Sequence, residues 1–414
     1  MRERFGDLRG RALWVVLGCL VCQLGLGFGY AISPLAPDIL AEFGWTRALY
    51  ASAQGPQTLL IAFTSPLIGW MAVRYGARAV LASGAIVIAA GYGLMAGMHS
   101  WWQFALAWAV VGLGVAGLGD IAVGAVVAQW VQRSRGLALG IVYTGSNLGG
   151  AIATRSVAAL AAAESWRFGV GAMAACGVAV LLPAGWFLVR DRAGAAAPAD
   201  AQHESVSADE LDLDARAALR TRSFWIIAIG LAGFWAYLYA MLQHFPLALV
   251  DAGLPREAAT AHWSNAVFMG MFSKIAFGWI ADRVPAKTSL LLDYGLLAFS
   301  SLLLLGVSSG GGATVWGFVL TFGFSYAARD VVTPLIIAYC FGSRDLAQIY
   351  GVLMLTILIG PLGGTFAGWV HDQTGSYDPA FLTLAAANAA TFVLLFAVRD
   401  ERAQRSVRWA LPAG

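Results

Sequence analysis

Residues 69–74 read Gly-Trp-Met-Ala-Val-Arg, and residues 278–283 read Gly-Trp-Ile-Ala-Asp-Arg. The same step along the chain carries Gly44-x-x-Arg47 onto Gly253-x-x-Arg256. A motif repeated at one spacing marks a duplicated unit, and the composition around it tells what kind of unit it is. Of 414 residues, 59% are apolar and 12% are charged, with a mean hydropathy of +0.71. A soluble domain carries about 25% charged residues and has no place for so much apolar surface. The chain is therefore expected to be a polytopic membrane protein.

A helix crosses the hydrocarbon core with about 20 mostly apolar residues. Twelve stretches qualify: 13–33, 47–71, 80–98, 101–131, 137–161, 166–189, 224–250, 258–281, 290–308, 313–340, 347–370 and 379–398, here spans 1 to 12. A polar, Ala-rich stretch at 190–222, acidic at Asp209, Glu210, Asp212 and Asp214, follows six spans and precedes six more. Within it Ser207-x-x-Glu210 reads as a capping box that starts a short surface helix. The expected fold is an all-α membrane protein of twelve transmembrane helices in two pseudo-symmetric six-helix bundles. The expected units are residues 1–189, a linker at 190–222, and residues 223–414.

Lys and Arg orient the bundle. Twenty of them fall in the two terminal segments and in alternate loops including the linker, against three, Arg47, Arg167 and Arg256, on the opposite side. Positive charge is retained on the cytoplasmic side of a membrane, so both termini are expected there, in the inner (cytoplasmic) membrane of a cell. The basic N-terminus precedes an apolar stretch with no small-residue cleavage site, which reads as an uncleaved first span. The net charge of +3 is dispersed and forms no basic face, so no nucleic-acid partner is expected.

Other chemistries lack their residues. Cys19 and Cys22 form a C-x-x-C inside a hydrophobic span, not in a βαβ unit, and read with Cys176 and Cys340 as buried inert thiols. The five histidines are scattered without an H-x-x-x-H pair, and no P-loop or G-x-S-x-G occurs. No enzyme, metal site or cofactor is expected. Gly112-x-Gly114-x-x-Gly117 imitates a dinucleotide fingerprint, but it lies in a span with no preceding strand and reads as close helix packing, as does Gly145-x-x-x-Gly149.

With these motifs in hand, the repeated G-x-x-A-[D]-R loop and the six-plus-six layout resemble the major facilitator superfamily, with Val73 standing where the first copy usually has an acid. Trp45-Thr46-Arg47, Thr333-Pro334, Gly360-Pro361, Ala367-Gly368-Trp369 and Asp372-x-Thr374-Gly375-Ser376-Tyr377 are similar to the monocarboxylate transporter family and its bacterial oxalate/formate-type relatives. The resemblance implies a cavity lined by spans 1, 2, 4, 5, 7, 8, 10 and 11. It also implies a substrate-holding cation in span 8, here Lys274. Animal members have an aspartate one turn earlier, where this chain has Gly270.

Ionisable groups at membrane depth are costly and therefore functional candidates. Five stand out: Asp120 in span 4, Arg155 in span 5, Lys274 in span 8, and Arg329 and Asp330 in span 10. All five are in the implied lining spans, and none of the five is in spans 3, 6, 9 or 12. Asp120 and Asp330 are nearly one repeat apart. Adjacent helical residues point about 100° apart, so Arg329 and Asp330 are not expected to pair with each other; Asp330 with Lys274 and Asp120 with Arg155 are the expected pairs. Lys274, Arg155 and Arg329 are candidate anion ligands, and Asp120 and Asp330 candidate proton carriers. Softer lining candidates are Tyr30, Gln54, Tyr143, Asn147, Tyr237, Gln243, His244, Asn265 and Tyr326.

The expected function is a secondary transporter for a small organic monocarboxylate of lactate or pyruvate type, working by alternating access. A proton, or an exchanged anion in oxalate/formate fashion, would be its coupling partner and the lipid bilayer its medium. An exporter of another small organic solute in the same fold is the alternative. The charge asymmetry carries a direct test: a cysteine placed at Ser207 resists an impermeant thiol reagent in intact cells and reacts after permeabilisation, whereas labelling of intact cells would invert the topology.

Overall fold

The computed structural model describes residues 10–131, 135–191, 212–281, 283–307, 312–342 and 345–402. The capping box at Ser207 and Glu210, and Asp282 of the second motif copy, lie outside these. No strand occurs among the described residues, which form twelve helical spans. Span 1 runs through Arg11–Leu26, the 3-10 turns Gly27–Ala31 and Ser33–Leu35, and Ala36–Phe43. Span 2 is Arg47–Ser52 with Gly55–Tyr75, span 3 Ala77–Ala96, span 4 Trp101–Leu118 with Asp120–Trp130, and span 5 Arg135–Ala163. Span 6 is Trp166–Cys176 followed by π turns at Gly177–Leu181 and Ala184–Leu188. Then come span 7, Arg222–Asp251, span 8, Arg256–Ala281, and span 9, Ala286–Leu304. Span 10 is Gly312–Tyr326 with Arg329–Phe341, span 11 Leu346–Met354, Leu355–Ile359 and Gly360–Thr374, and span 12 Asp378–Leu395.

Eight of these are long and apolar enough to cross a membrane. The other four, spans 2, 5, 8 and 10, are either broken or more polar, and three of them hold Arg155, Lys274, Arg329 and Asp330. Spans 2, 4, 6 and 7 begin on hydroxyl caps: Thr46, Ser100, Ser165 and Thr221 each accept from the backbone N–H three residues on. Such a cap satisfies one of the orphan donors at a helix start and is worth about 1 kcal/mol.

Glycine sets how closely the spans approach. A methyl on Gly112 would lie 2.6 Å from the Gln57 carbonyl oxygen of span 2, and one on Gly114 would lie 2.6 Å from Ile88 of span 3. Gly117 meets Gly84 of span 3 at 3.0 Å. Gly145 and Gly149 press on Leu20 and Leu24 of span 1. Both glycine patterns are therefore packing seams, as the sequence predicts.

We call the end of the bundle that holds Arg11 and Arg402 the near end and the other the far end. The two six-helix bundles meet along span 5 on span 8 and span 2 on span 11, the two contacts that a pseudo-twofold axis exchanges. At the far end the seam is clamped twice. Arg47 holds Asp251 through two hydrogen bonds of 2.6 and 2.9 Å, and Arg256 holds Asp38 the same way. These two arginines are the repeat-related pair of the sequence motif. Asp372 of span 11 also caps the start of span 2, accepting from Arg47 N at 3.1 Å and Ala48 N at 3.0 Å. Toward the near end, the halves of spans 4, 10 and 11 pack mainly against their own bundles.

The close packing of span 5 on span 1 makes Gly149→Val a sensitive probe, since its side chain would strike the Leu24 backbone, while a methyl added at Gly140 would meet nothing within 4 Å. Overpacking costs about 1–3 kcal/mol. Thermal unfolding in detergent should show a clear drop for Gly149→Val and almost none for Gly140→Val.

Candidate functional site

Spans 4 and 10 both break midway. Span 4 resumes at Asp120 after the extended Gly119, and span 10 resumes at Arg329–Asp330 after a turn at Ala327–Ala328. Each acid therefore lies in the first turn of a helix, where unpaired N–H groups and the helix dipole favour negative charge. Both sit about 16 Å from the near end at 1.5 Å per residue, close to the middle of an apolar core about 30 Å thick. Asp120 is nonetheless exposed and Asp330 keeps a third of its side chain accessible. With the far end clamped, the accessible surface of these acids lies on the near-end side of the clamps.

Asp330 is the hub. Lys274 Nζ lies 3.1 Å from its Oδ2, and Arg329 donates to its Oδ1. The Lys274–Asp330 pair is as expected. The Arg329–Asp330 contact corrects the expectation that neighbours in sequence could not pair. Because the helix begins at Arg329, its long side chain lies at a helix start and reaches the adjacent carboxylate. The guanidinium also stacks over Trp235, 4.1 Å from the ring centroid. Lys274 is held across the seam by the Tyr143 carbonyl oxygen at 3.1 Å and Ser146 Oγ at 3.4 Å. Its side chain is 9% exposed, so it points inward and does not snorkel to the surface.

The remaining expectations divide. Asp120 does not pair with Arg155; it accepts from Gln23 Nε2 of span 1 at 3.2 Å. Gln23, nearly fully buried, was not among the expected residues, although a glutamine within an apolar span is a visible signal. Arg155 lies toward the far end and donates to Asn265 Oδ1 at 2.5 Å, apart from the hub. Asn147 and Tyr326 join across the seam at 2.5 Å, and both donate to the Val267 carbonyl oxygen. The Tyr30 ring packs edge-on to Tyr326. Gln243 donates to Gln54 Oε1 at 2.6 Å, and buried His244 bridges Tyr377 and the Gly364 carbonyl, each at 2.9 Å. Tyr237 is wholly buried. These three contribute to the seam and the C-terminal bundle, not to the hub.

Two findings depart further from the sequence reading. Span 9 does hold an ionisable group: Asp293, 4% exposed, within electrostatic reach of Arg329 and Asp330. Asp293 falls inside the stretch 290–308 read from the sequence but is not among the five groups singled out, and the helix, which begins at Ala286, buries it. At Gly270, a Cβ would strike Asn147 Nδ2 and lie 2.8 Å from the Tyr326 hydroxyl. The space beside Gly270 is thus filled by Asn147 of the opposite bundle and by Tyr326 of its own.

Residues 15–330 match the family profile described as Major Facilitator Superfamily. The chain belongs to that superfamily. It is 25% identical over 393 residues to "Monocarboxylate transporter 11" of Mus musculus, covering 89% of this chain and 83% of that protein. It is 25% identical over 343 residues to "Gallate transporter" of Pseudomonas putida, covering 72% and 74%. Among solved structures, a bacterial homologue of the human lysosomal transporter Spinster, captured in an inward-facing and occupied conformation, superposes with a TM-score of 0.72. It shares 16% identity over 96% of this chain and 97% of that one, a likeness of fold. The protein is thus a multi-pass membrane transporter of this superfamily with monocarboxylate transporter homologues.

The crowding at Gly270 is directly testable. Gly270→Asp alone should lower stability by about 1–3 kcal/mol, the usual cost of overpacking. Adding Asn147→Ala frees the space and should recover part of that loss, as read by thermal unfolding of the purified double and single variants.

Proposed function

We propose that this transporter carries a small organic monocarboxylate across the cytoplasmic membrane by alternating access, with a proton as its coupling ion. The carrying observation is the hub, in which two cations, Lys274 and Arg329, share one carboxylate at mid-depth beside the exposed Asp120; we take the accessible surface of Asp120 and Asp330 to mark an opening toward the near end. Asp330 satisfies only part of the hydrogen-bonding capacity of an ammonium and a guanidinium. The surplus positive field suits one carboxylate of a substrate, with Asn147, Tyr326 and Tyr30 nearby to fit its body. Arg155 and Asn265 form a second polar step toward the far end. The relatives named for monocarboxylates and for gallate, itself a carboxylate, support the same substrate class.

In this reading the near end is cytoplasmic, the described state is open inward, and residues 1–189 and 223–414 rock about the seam while 190–222 links them. The clamp formed by Arg47 with Asp251 and Arg256 with Asp38 would open as the near end closes. The surplus charge also defines the second reading. A site that keeps its excess cation after release returns readily only with another anion, which is exchange of the oxalate/formate kind.

Lys274 provides the test. Truncating one partner of a buried charged pair costs about 2–5 kcal/mol, so Lys274→Gln should weaken carboxylate binding by about 30-fold or more while the protein still elutes as a folded monodisperse species. Lys274→Arg should retain part of the affinity. Binding of lactate, pyruvate, formate, oxalate and gallate, followed by thermal shift, reads both variants. Unchanged binding by Lys274→Gln would remove this lysine from the site.

A further inference from the structure

We propose that Asp293, not Asp330 or Asp120, is the carboxyl that takes up and releases the coupled proton. Resting on the anion-transport reading above, the inference starts from three features of the structure. Asp293 is 4% exposed in the middle of the C-terminal bundle, and its carboxyl makes no hydrogen bond or ion pair among the described residues. It lies within electrostatic reach of Arg329 and Asp330. Arg329 Nε is buried without a hydrogen-bond partner, so the guanidinium has a donor to spare after serving Asp330.

A buried carboxylate without a partner is costly, whereas the neutral acid avoids most of that cost. Asp330 is in the opposite position: it accepts from both Lys274 and Arg329, and protonating it would leave two buried cations without their anion. Asp330 is therefore the fixed counter-ion, and Asp293 is the group free to change charge. The groups facing Asp293 are its neighbour Tyr294 on span 9 and Arg329 and Asp330 on span 10. Span 8 adds Lys274 beyond Asp330, and spans 7 and 12 add no charged side chain at this depth. Asp120, on span 4, feels the same cluster but is exposed to the opening, where water screens it.

Charge bookkeeping then links proton to substrate. With Asp293 neutral, Lys274, Arg329 and Asp330 leave one net positive charge, which a monocarboxylate cancels. When the substrate leaves, Asp293 gives up its proton to water through the opening, turns its carboxylate to the spare donor of Arg329, and the emptied cluster is again neutral. One proton therefore travels with one carboxylate, and both the loaded and the empty cluster cross the apolar core without excess charge.

The experiment uses the full-length protein in liposomes with lactate and pyruvate as probes. It compares uptake driven by a pH gradient, counterflow without a gradient, and substrate affinity between pH 5.5 and 7.5. In the wild type, affinity should fall with rising pH by up to about tenfold per unit, the limit for one linked proton. Asp293→Asn fixes the neutral form: counterflow persists, the pH dependence of affinity flattens, and gradient-driven accumulation is lost. Asp293→Glu should keep accumulation with a displaced pH profile, and it decides the matter if the Asn variant does not survive extraction; an unmoved profile would overturn the assignment. Normal accumulation by Asp293→Asn, or selective loss of accumulation in Asp330→Asn or Asp120→Asn with counterflow intact, would also overturn it. Carboxylate counterflow with no coupling in the wild type would refute the proton role and leave exchange. Absence of any carboxylate movement in the wild type would instead refute the anion reading, and this inference with it.

Discussion

Asp330 accepts from an ammonium and a guanidinium near mid-depth, where the two cations are almost wholly withdrawn from water and only a third of the carboxylate side chain stays accessible. Charges there persist only by satisfying one another. That requirement shapes the surrounding helices. Span 10 breaks so that its acid falls in the first turn of a new helix, and a tryptophan ring covers the guanidinium. Carbonyl and hydroxyl oxygens from the other bundle complete the lysine's shell. The seam between bundles is thus polar at the charge and at the far-end clamps, whereas glycine sets the close contacts between helices inside the N-terminal bundle.

The far-end clamp follows a different logic. Arg47 and Arg256 bind carboxylates with two hydrogen bonds each but remain partly exposed, and exposed pairs contribute little to stability. In the proposed alternating access their value would lie in reversibility, because water could replace each partner as the bundles part. The Arg47 side also donates to the Tyr377 hydroxyl at 2.7 Å, and Tyr377 meets His244, whose other nitrogen faces the Gly364 carbonyl. A neutral imidazole fits this chain, donating to the carbonyl and accepting from the phenol. The sequence motifs around Arg47 and around Asp372 to Tyr377 come from opposite bundles, and the structure makes them one contact.

What could be read from the sequence was set by periodicity and charge. Apolar length located the spans, and the motif spacing located the duplication. Lys274 with Asp330 followed from the cost of unpaired charge. The errors have equally physical origins. The angle between neighbours in an uninterrupted helix does not govern Arg329, because no proline or glycine announces the break that makes it a helix start. Asp120 took Gln23 as its partner because a glutamine that can donate at 3.2 Å is nearby, while Arg155 lies toward the far end and donates to Asn265 instead. Asp293 was legible in span 9 and was passed over in favour of the spans expected to line a cavity.

The repeat shows where symmetry was kept and where it was given up. The motif arginines Arg74 and Arg283 both fold over their motif tryptophans, at 5.2 and 4.0 Å, and the clamp arginines pair alike. At the centre the step from one half to the other instead carries Lys274 onto Ser65, Arg329 onto Asp120 and Asp293 onto Gly84. Ser65 returns its hydroxyl to its own helix, and Gly84 serves only close packing. The C-terminal bundle therefore holds both buried cations and the two acids around them, while the N-terminal bundle supplies neutral oxygens and one screened carboxylate. A charge cluster housed in one bundle would move as a unit with it, so under the proposed alternating access its internal pairs would be kept. Of the cluster's own contacts, only those of Lys274 to Tyr143 and Ser146 cross to the other bundle, at 3.1 and 3.4 Å, and under the proposed alternating access these are the ones that would be remade.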